Sequence, residues 1–287
     1  MNKVYAVIVT YNPDIDILRY QYHSIVKQVQ GIIYVDNAST GIDILLTEFQ
    51  SMAYFICNNE NLGLGKAQNQ GILLAKEKGA THVFLLDQDS VTSNGLVSNL
   101  LKVEREYENK GIKVGLVGPR ILNALSSPPI YSDIFVFSDF RLKRIKIGNA
   151  PISVSYCIAS GSLISIKVLM EVGLINDFLF IDALDVEWCL RAKSLGYTIL
   201  MSPHAVLEHR LGNGCENKVL SHFPMREYYI CRNSIILIKY GYIPIGYKLR
   251  KVILTPLRVL YSLLKGHFEH AKAGIRGIKD GVLYNVR

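Results

Sequence analysis

Strongly apolar runs alternate with amphipathic stretches over the first third of the chain. Val4–Thr10 (VYAVIVT) is a β-branched run closed by the turn signal Tyr11-Asn12-Pro13, which predicts a strand. Residues 15–30 put Ile17, Leu18, Tyr22, Ile25, Val26 and Val29 on or near one helical face, with Gly31 as a stop. Ile32–Val35 and Ala53–Cys57 predict two further strands, Leu64–Lys78 a helix, and Val83–Leu86 a fourth strand ending at Asp87. Strands separated by helices of this length form βαβ units and a parallel sheet. Runs apolar on both faces call for helices on both sides of that sheet. Ligands of such sheets bind beyond the carboxyl ends of the strands. That rule gathers Thr10-Tyr11, Asp36-Asn37 and Asp87-Gln88-Asp89 along one edge.

After Gly118-Pro119 the pattern loosens. Ser126-Ser127-Pro128-Pro129 reads as a loop, residues 130–147 as an irregular hairpin region, and Ser160-Gly161-Ser162 as a turn or short strand. Ile166–Val172 and Asp182–Ser194 predict helices, the second stopped by Gly196, and Tyr197–Met201 a strand. Beyond about residue 225 the pattern is helical and increasingly basic. The expected organisation is an α/β domain over residues 1–225 and a helical extension over 226–287.

Charge sharpens this division. The net charge of the 287-residue chain is +8, and its excess lies in the C-terminal part. There Lys239, Lys248, Arg250, Lys251, Arg258, Lys265, Lys272, Arg276, Lys279 and Arg287 face only Glu269 and Asp280. Such a tail suits anionic lipid or nucleic acid. The five cysteines, Cys57, Cys157, Cys189, Cys215 and Cys231, form no CxxC pair, which argues against a disulfide framework or structural zinc and fits a reducing cytosol. The apolar N-terminal stretch is too short for a signal peptide. No run reaches the roughly 18 uninterrupted apolar residues of a spanning helix.

Five constellations carry candidate chemistry. Asp87-Gln88-Asp89 puts two carboxylates at i and i+2 past a strand, where they can converge on a hard divalent cation that also accepts diphosphate oxygens. A plain polar strand cap is the competing reading. Asp36 in Asp36-Asn37-Ala38-Ser39-Thr40 could accept from a ribose or base N–H, or could simply form an Asx turn. Asn58 to Gly71 carries Gly63 and Gly65 ahead of a helix, where backbone N–H groups can face phosphates. It lacks the spacing of a P-loop and of a dinucleotide fingerprint, which disfavours a redox enzyme. Asp182 and Asp185 stand at i and i+3 near a helix start, where one could cap the helix and the other act as a general base. His204 and His209 follow the late strand, and His209 could add a ligand to a metal at Asp89. Arg210, Arg226 and Arg232 are candidate diphosphate contacts, since guanidinium forks phosphate oxygens.

In this order the motifs VIVTYNP, VDNAST, NLGLGKAQNQG, LLDQDS, ASGSL and FIDALDVEWCLRAKSLGY resemble the family 2 glycosyltransferases of the GT-A fold, over Val4 to about Asn233. FIDALDVEW, LEHRLG and FPMREYYICRN look most like bacterial rhamnosyltransferases that build O-antigen and related polysaccharides. The resemblance implies a nucleotide-sugar site formed by Thr10, Tyr11, Asn12, Asp36, Asn61, Gly63, Lys66, Asn69, Asp87, Gln88 and Arg232, with Asp36 on the pyrimidine base. It implies Mg²⁺ or Mn²⁺ on Asp89, with Asp87 and His209 as further ligands. Asp185, six residues before Arg191, would be the general base. Leu184 and Glu187 depart from the usual acidic pattern, so Asp182 could share the role. The implied reaction is inverting transfer from a dTDP- or UDP-sugar, dTDP-β-L-rhamnose first among them, to a polyprenyl-diphosphate-linked glycan.

The stretch 247–270 mixes leucines with cations, as interfacial helices do. It predicts peripheral attachment to an anionic surface, the inner face of the bacterial inner membrane, or a homodimer contact. Nucleic acid is not expected. A non-catalytic nucleotide-sugar-binding protein is disfavoured by the complete set of Asp87, Asp89, Asp185 and His209. A sugar nucleotidyltransferase is disfavoured because TYNPDID lacks a glycine-rich basic turn.

Overall fold

The computed structural model describes residues 2–123, 130–131, 134–138, 141–145, 148–209 and 224–285. The Ser126–Pro129 loop, Arg210 and Cys215 lie outside them. The first half runs β1 (Val4–Thr10), α1 (Ile15–Ile25), β2 (Gly31–Asp36), α2 (Ile42–Phe49), β3 (Tyr54–Cys57), α3 (Leu64–Glu77), β4 (His82–Asp87), β5 (Ser90–Thr92), α4 (Leu96–Glu108) and β6 (Val114–Asn123). Then follow β7 (Ile130–Tyr131), a hairpin of β8 (Ile134–Ser138) and β9 (Arg141–Ile145), β10 (Ile152–Val154), β11 (Ser162–Ser165), α5 (Ile166–Val172), α6 (Leu184–Ser194) and β12 (Thr198–His209). Three helices close the chain: α7 (Pro224–Lys239), α8 (Ile245–Leu264) and α9 (Phe268–Leu283).

The main sheet has the order β10-β12-β6-β11-β4-β1-β2-β3. β1 pairs in parallel with β2 and β4, and β2 with β3; β12 is parallel to β6, while β11 inserts antiparallel between β4 and β6. Side chains alternate across the pleat with period two. Val4, Ala6 and Ile8 therefore face one apolar cluster and Tyr5 and Val7 the other. On one face α1, α2 and α4 contribute Leu18, Phe49 and Leu100; on the other α3, α5 and α6 contribute Ile72, Leu169 and Trp188. This is the two-sided covering that the apolar runs require.

Three features differ from the sequence pattern. α1 stops at Ile25, and residues 26–30 turn instead of continuing the helix. α2 and α4 were not evident because each begins at a left-handed glycine, Gly41 and Gly95, without a side-chain cap to mark it. β12 runs on to His209 past a register shift between Met201 and Val206, where Pro203 removes a ladder donor.

The C-terminal helices are part of the same core. Ile236 and Leu237 of α7, Ile243 of the α7–α8 turn and Tyr247 of α8 join the cluster that includes β1 and α6 residues. Residue 226 falls inside α7. A second, small cluster of Cys231, Val259 and Ala271 ties α7, α8 and α9 to each other. A Cβ on Gly277 of α9 would stand 2.3 Å from the Tyr228 carbonyl oxygen, so α9 approaches the α7 backbone at a distance only glycine allows. Among the described residues no helix is long and apolar enough to cross a membrane.

The tightest helix–sheet approach is at Gly71, where a Cβ would lie 2.3 Å from Val7 Cγ1 and 3.2 Å from Val35 Cγ2. Gly71→Ala is expected to push α3 off β1 and destabilise the protein by about 1–3 kcal/mol. Thermal unfolding checks this, with Gly241→Ala, which meets open space, leaving the melting temperature nearly unchanged.

Candidate functional site

Strand ends β1, β2 and β4 open onto one edge, and their loops interlock there. Asp36, buried at the end of β2, accepts from Thr10 Oγ1 at 2.8 Å, from Ser39 N at 2.8 Å and from Ser39 Oγ at 2.5 Å. Asn12 donates its backbone N–H to Ser39 Oγ and accepts from Thr40 N with its side chain, both at 2.8 Å. Asn12 and Ala38 hold positive φ of 46° and 66°, strained backbone that this network maintains. Tyr11 N donates to Gln88 Oε1 at 2.8 Å, joining the β1 loop to the Asp87-Gln88-Asp89 turn. The result is a polar strand-end edge tied together through backbone as much as side chains, with Tyr11 exposed on it.

The turn after β4 is fixed from below. Ser160 Oγ accepts from Asp87 N at 3.0 Å and contacts Ser90 Oγ at 2.9 Å. The fully buried Gln21 of α1 donates to the carbonyl oxygens of Asp87 and Ser90. Asp87 and Asp89 are thus half-buried carboxylates on a braced turn. Their oxygen chemistry fits a hard divalent ion. Among the described residues no group of three His, Cys, Asp or Glu side chains could hold a metal by itself. Such an ion would have to complete its shell from a diphosphate, as Mg²⁺ commonly does.

Asp185 lies in the first turn of α6, half-buried, and accepts from Val186 N at 2.8 Å. Burial pushes its carboxyl up to about 6, and the charges of Asp87 and Asp182 push the same way. That electrostatic contact brings the base candidate and the β4 turn to one site. Neither carboxylate is the helix cap: the N-cap is Ala183, which makes no capping bond, because the chain enters α6 through left-handed backbone. Phe180, Asp182 and Ala183 hold positive φ of 65°, 63° and 66°. Asn233 of α7, fully buried, supports this loop by donating to the carbonyls of Leu179, Ile181 and Asp182 at 2.9, 2.7 and 2.9 Å. Arg226 binds the Asp182 carboxylate at 3.0 Å, whereas among the described residues Asp185 makes no ion pair. Behind them Arg191 anchors α6 to the end of α5, bonding Glu187 at 2.8 Å and the carbonyls of Val172 and Leu174 at 2.7 and 2.8 Å.

The remaining candidates divide. Asn61 accepts from Gly63 N at 3.0 Å, and Gly63, with φ of 85°, leaves no room for a Cβ beneath Phe180. Lys66 is exposed on the first turn of α3. Asn69 instead exchanges two bonds with the Ile175 backbone, at 2.8 and 3.0 Å. Arg232 donates to the carbonyls of Phe178 and Leu179 at 2.8 and 3.0 Å and lies over the rings of Phe178 and Tyr229, so it fastens the loop ahead of α6. His204 bonds the Asn149 carbonyl on the exposed surface. The backbone of His209 ends β12 opposite Ser90 and Asn123; its side chain lies outside the described residues. Gln21, Ser160 and Asn233 were missed. Only Gln21 left a signal, a polar residue in the apolar face of Leu18, Tyr22 and Ile25.

Residues 5–173 match the model of glycosyl transferase family 2. The chain is 30% identical to the dTDP-rhamnosyl transferase RfbF of Shigella flexneri over 99% of both proteins. Its fold is similar to GalNAc-T7, solved with UDP, GalNAc and Mn²⁺, at a TM-score of 0.62 and 16% identity, covering 82% of this chain and 51% of that one. It is also similar to TarS of S. aureus at a TM-score of 0.57 and 13% identity, covering 83% of this chain and 40% of that one. The sheet flanked by helices, the strand-end site and these matches together make the chain a glycosyltransferase, and it belongs to glycosyl transferase family 2.

Proposed function

We propose that this enzyme transfers L-rhamnose from dTDP-β-L-rhamnose, with inversion, to a hydroxyl of a lipid-linked oligosaccharide used in cell-surface polysaccharide synthesis. The observation that carries the chemistry is Asp185, a carboxyl raised to about 6 beside Asp87 at the end of β4. Full-length similarity to a dTDP-rhamnosyl transferase supports the sugar.

In this reading the pyrimidine base sits against Asp36 and the Thr10–Asn12 backbone. The ionised Asp185 takes the proton of the acceptor hydroxyl as its oxygen attacks the anomeric carbon. The bond from that carbon to the diphosphate oxygen breaks, and its electron pair leaves with the nucleoside diphosphate. One displacement inverts the anomeric centre, and no covalent enzyme intermediate forms. Asp89 and Asp87, with His209 as a further candidate, would hold Mg²⁺ or Mn²⁺, whose charge offsets that of the departing diphosphate. Asp182, paired with Arg226, shapes the acceptor side instead of competing for the proton. Peripheral attachment at the inner face of the membrane fits α8, which exposes Leu249, Ile253, Leu257 and Leu264 beside lysines and arginines. A homodimer through the same face is the competing use.

A second reading keeps fold and mechanism but takes a UDP-hexose, as the UDP complex of GalNAc-T7 illustrates for that protein. A donor screen in Mg²⁺ or Mn²⁺ decides: turnover with dTDP-rhamnose should exceed that with UDP-galactose, UDP-glucose and UDP-N-acetylglucosamine, and chelation with EDTA should abolish it. Preference for a UDP-sugar would overturn the rhamnose assignment.

Asp185→Asn should lower kcat by roughly a hundred-fold or more while calorimetry finds donor affinity unchanged. Wild-type transfer should fall as pH drops through about 6, where Asp185 takes up a proton. Stability moves oppositely. The folded pKa lies above the unfolded one, so ionised Asp185 costs stability as pH rises from about 4 to above 6. Asp185→Asn should therefore raise the melting temperature at pH 8 and leave it nearly unchanged at pH 4.

A further inference from the structure

α8 reaches the site on the acceptor side. Tyr247, buried in its first turn, and Tyr156 both feel the charge of Asp185 and the opposing charge of Arg250. Both rings are thus within electrostatic range of Asp185 and of Arg250, the first arginine of α8. Around them four cations meet three carboxylates, Asp182, Asp185 and Glu227. Arg226 is bound to Asp182 at 3.0 Å and Arg258 to the buried Glu227 at 2.6 Å. With Asp185 ionised, one cation is left in excess, at Arg250 and Lys251. Among the described residues neither makes an ion pair. Arg250 is exposed, while Lys251 is half-buried with its Nζ 5.3 Å from the centre of the Tyr247 ring. Burial and the nearby charges of Arg250 and Arg258 push the Lys251 ammonium below its ordinary value. A half-buried cation held beside like charges is destabilising unless something anionic joins it. The turn that carries these cations also exposes Leu249, Val252 and Ile253 to solvent.

We propose that Arg250 and Lys251 of α8 form an anion subsite, next to Asp185, that takes the phosphate or diphosphate group of the acceptor. The nature of this ligand rests on the transferase reading; the excess charge does not. In this proposal the acceptor's sugar hydroxyl faces Asp185, its phosphate meets Arg250 and Lys251, and its apolar chain leaves over the exposed Leu249 and Ile253. α8 then selects phosphate-linked acceptors, and the chemistry at Asp185 does not depend on it. Anionic headgroups of a bilayer share this chemistry and are the competing source.

Arg250→Gln and Lys251→Met, singly and together, test the subsite. Two soluble acceptors carrying the same glycan, one on a short-chain alkyl diphosphate and one on an alkyl glycoside, distinguish it. The variants should raise KM for the diphosphate acceptor by roughly ten-fold or more, the size expected for a lost charge-assisted contact. The KM ratio between the two acceptors should fall toward one, and dTDP affinity should stay constant. Lys251→Met should keep or raise the melting temperature, since it removes a dehydrated cation; a purely structural role for Lys251 would lower it. Inorganic pyrophosphate, titrated in EDTA with saturating dTDP, should bind wild type and not the double variant. Equal pyrophosphate binding by both overturns the subsite, as does an unchanged KM ratio. Loss of binding to phosphatidylglycerol vesicles with no change in either would assign the cations to the bilayer and overturn it too. Absence of turnover with every donor, alongside intact pyrophosphate discrimination, would sink the transferase assignment and leave the subsite standing.

Discussion

A carboxylate that must collect a proton near neutral pH has to be partly removed from water, and removing a charge from water destabilises the fold that does it. In the proposed mechanism Asp185 is in that position. The surrounding structure can be understood as what keeps it there. α6 cannot rotate to expose it, because Arg191 is bound to Glu187 and to two carbonyls at the end of α5, and Trp188 Nε1 donates to the Gly173 carbonyl at 2.8 Å. The entry loop cannot relax, because Asn233 and Arg232 of α7 occupy its carbonyls while three successive-region residues sit at positive φ. Strain of this kind persists only where neighbours over-determine the backbone.

The same constraint explains the role of the C-terminal helices. α7 supplies the groups that hold the Phe178–Asp182 loop, so the setting of Asp185 depends on a segment remote from it in sequence. α8 in turn sets the charge around that loop, with Arg258 balanced by Glu227 and Arg226 by Asp182. The helices beyond the family-matched residues 5–173 are therefore not an appendage. In the proposed reading they complete the acceptor side of a site whose donor side is built by the sheet.

The donor side follows a different logic. Parallel strands β1, β2 and β4 end together, and their loops are stitched by hydrogen bonds among Thr10, Asn12, Asp36, Ser39 and Gln88. All but the Ser39–Asp36 bond join residues from different strand ends, so the strand ends are held to one another by side chains as well as by the sheet. In the proposed reaction, a hydrogen-bonded donor side and a cationic excess on the acceptor side suit two substrates that arrive in different ways.

Much of this was legible in the chain itself. Continuous β-branched apolar runs marked β1, β2 and β4, and the rule for parallel sheets put Asp36 and Asp87 at one edge, because local hydrophobicity and strand direction decide both. The resemblance singled out Asp185 from a short acidic stretch. Other features required the folded molecule. α2 and α4 start at glycine without a cap, so no local signal announces them. The division of labour between Asp182 and Asp185 depends on Arg226, 44 residues away along the chain, which neutralises one carboxylate and leaves the other to be raised by burial. Arg232 and Asn69 carry side chains suited to phosphate or sugar, yet the structure uses them on backbone carbonyls. Sequence determines which groups are available and where strands end; which charge meets which partner, and how much water each keeps, is a property of distances that only tertiary packing sets.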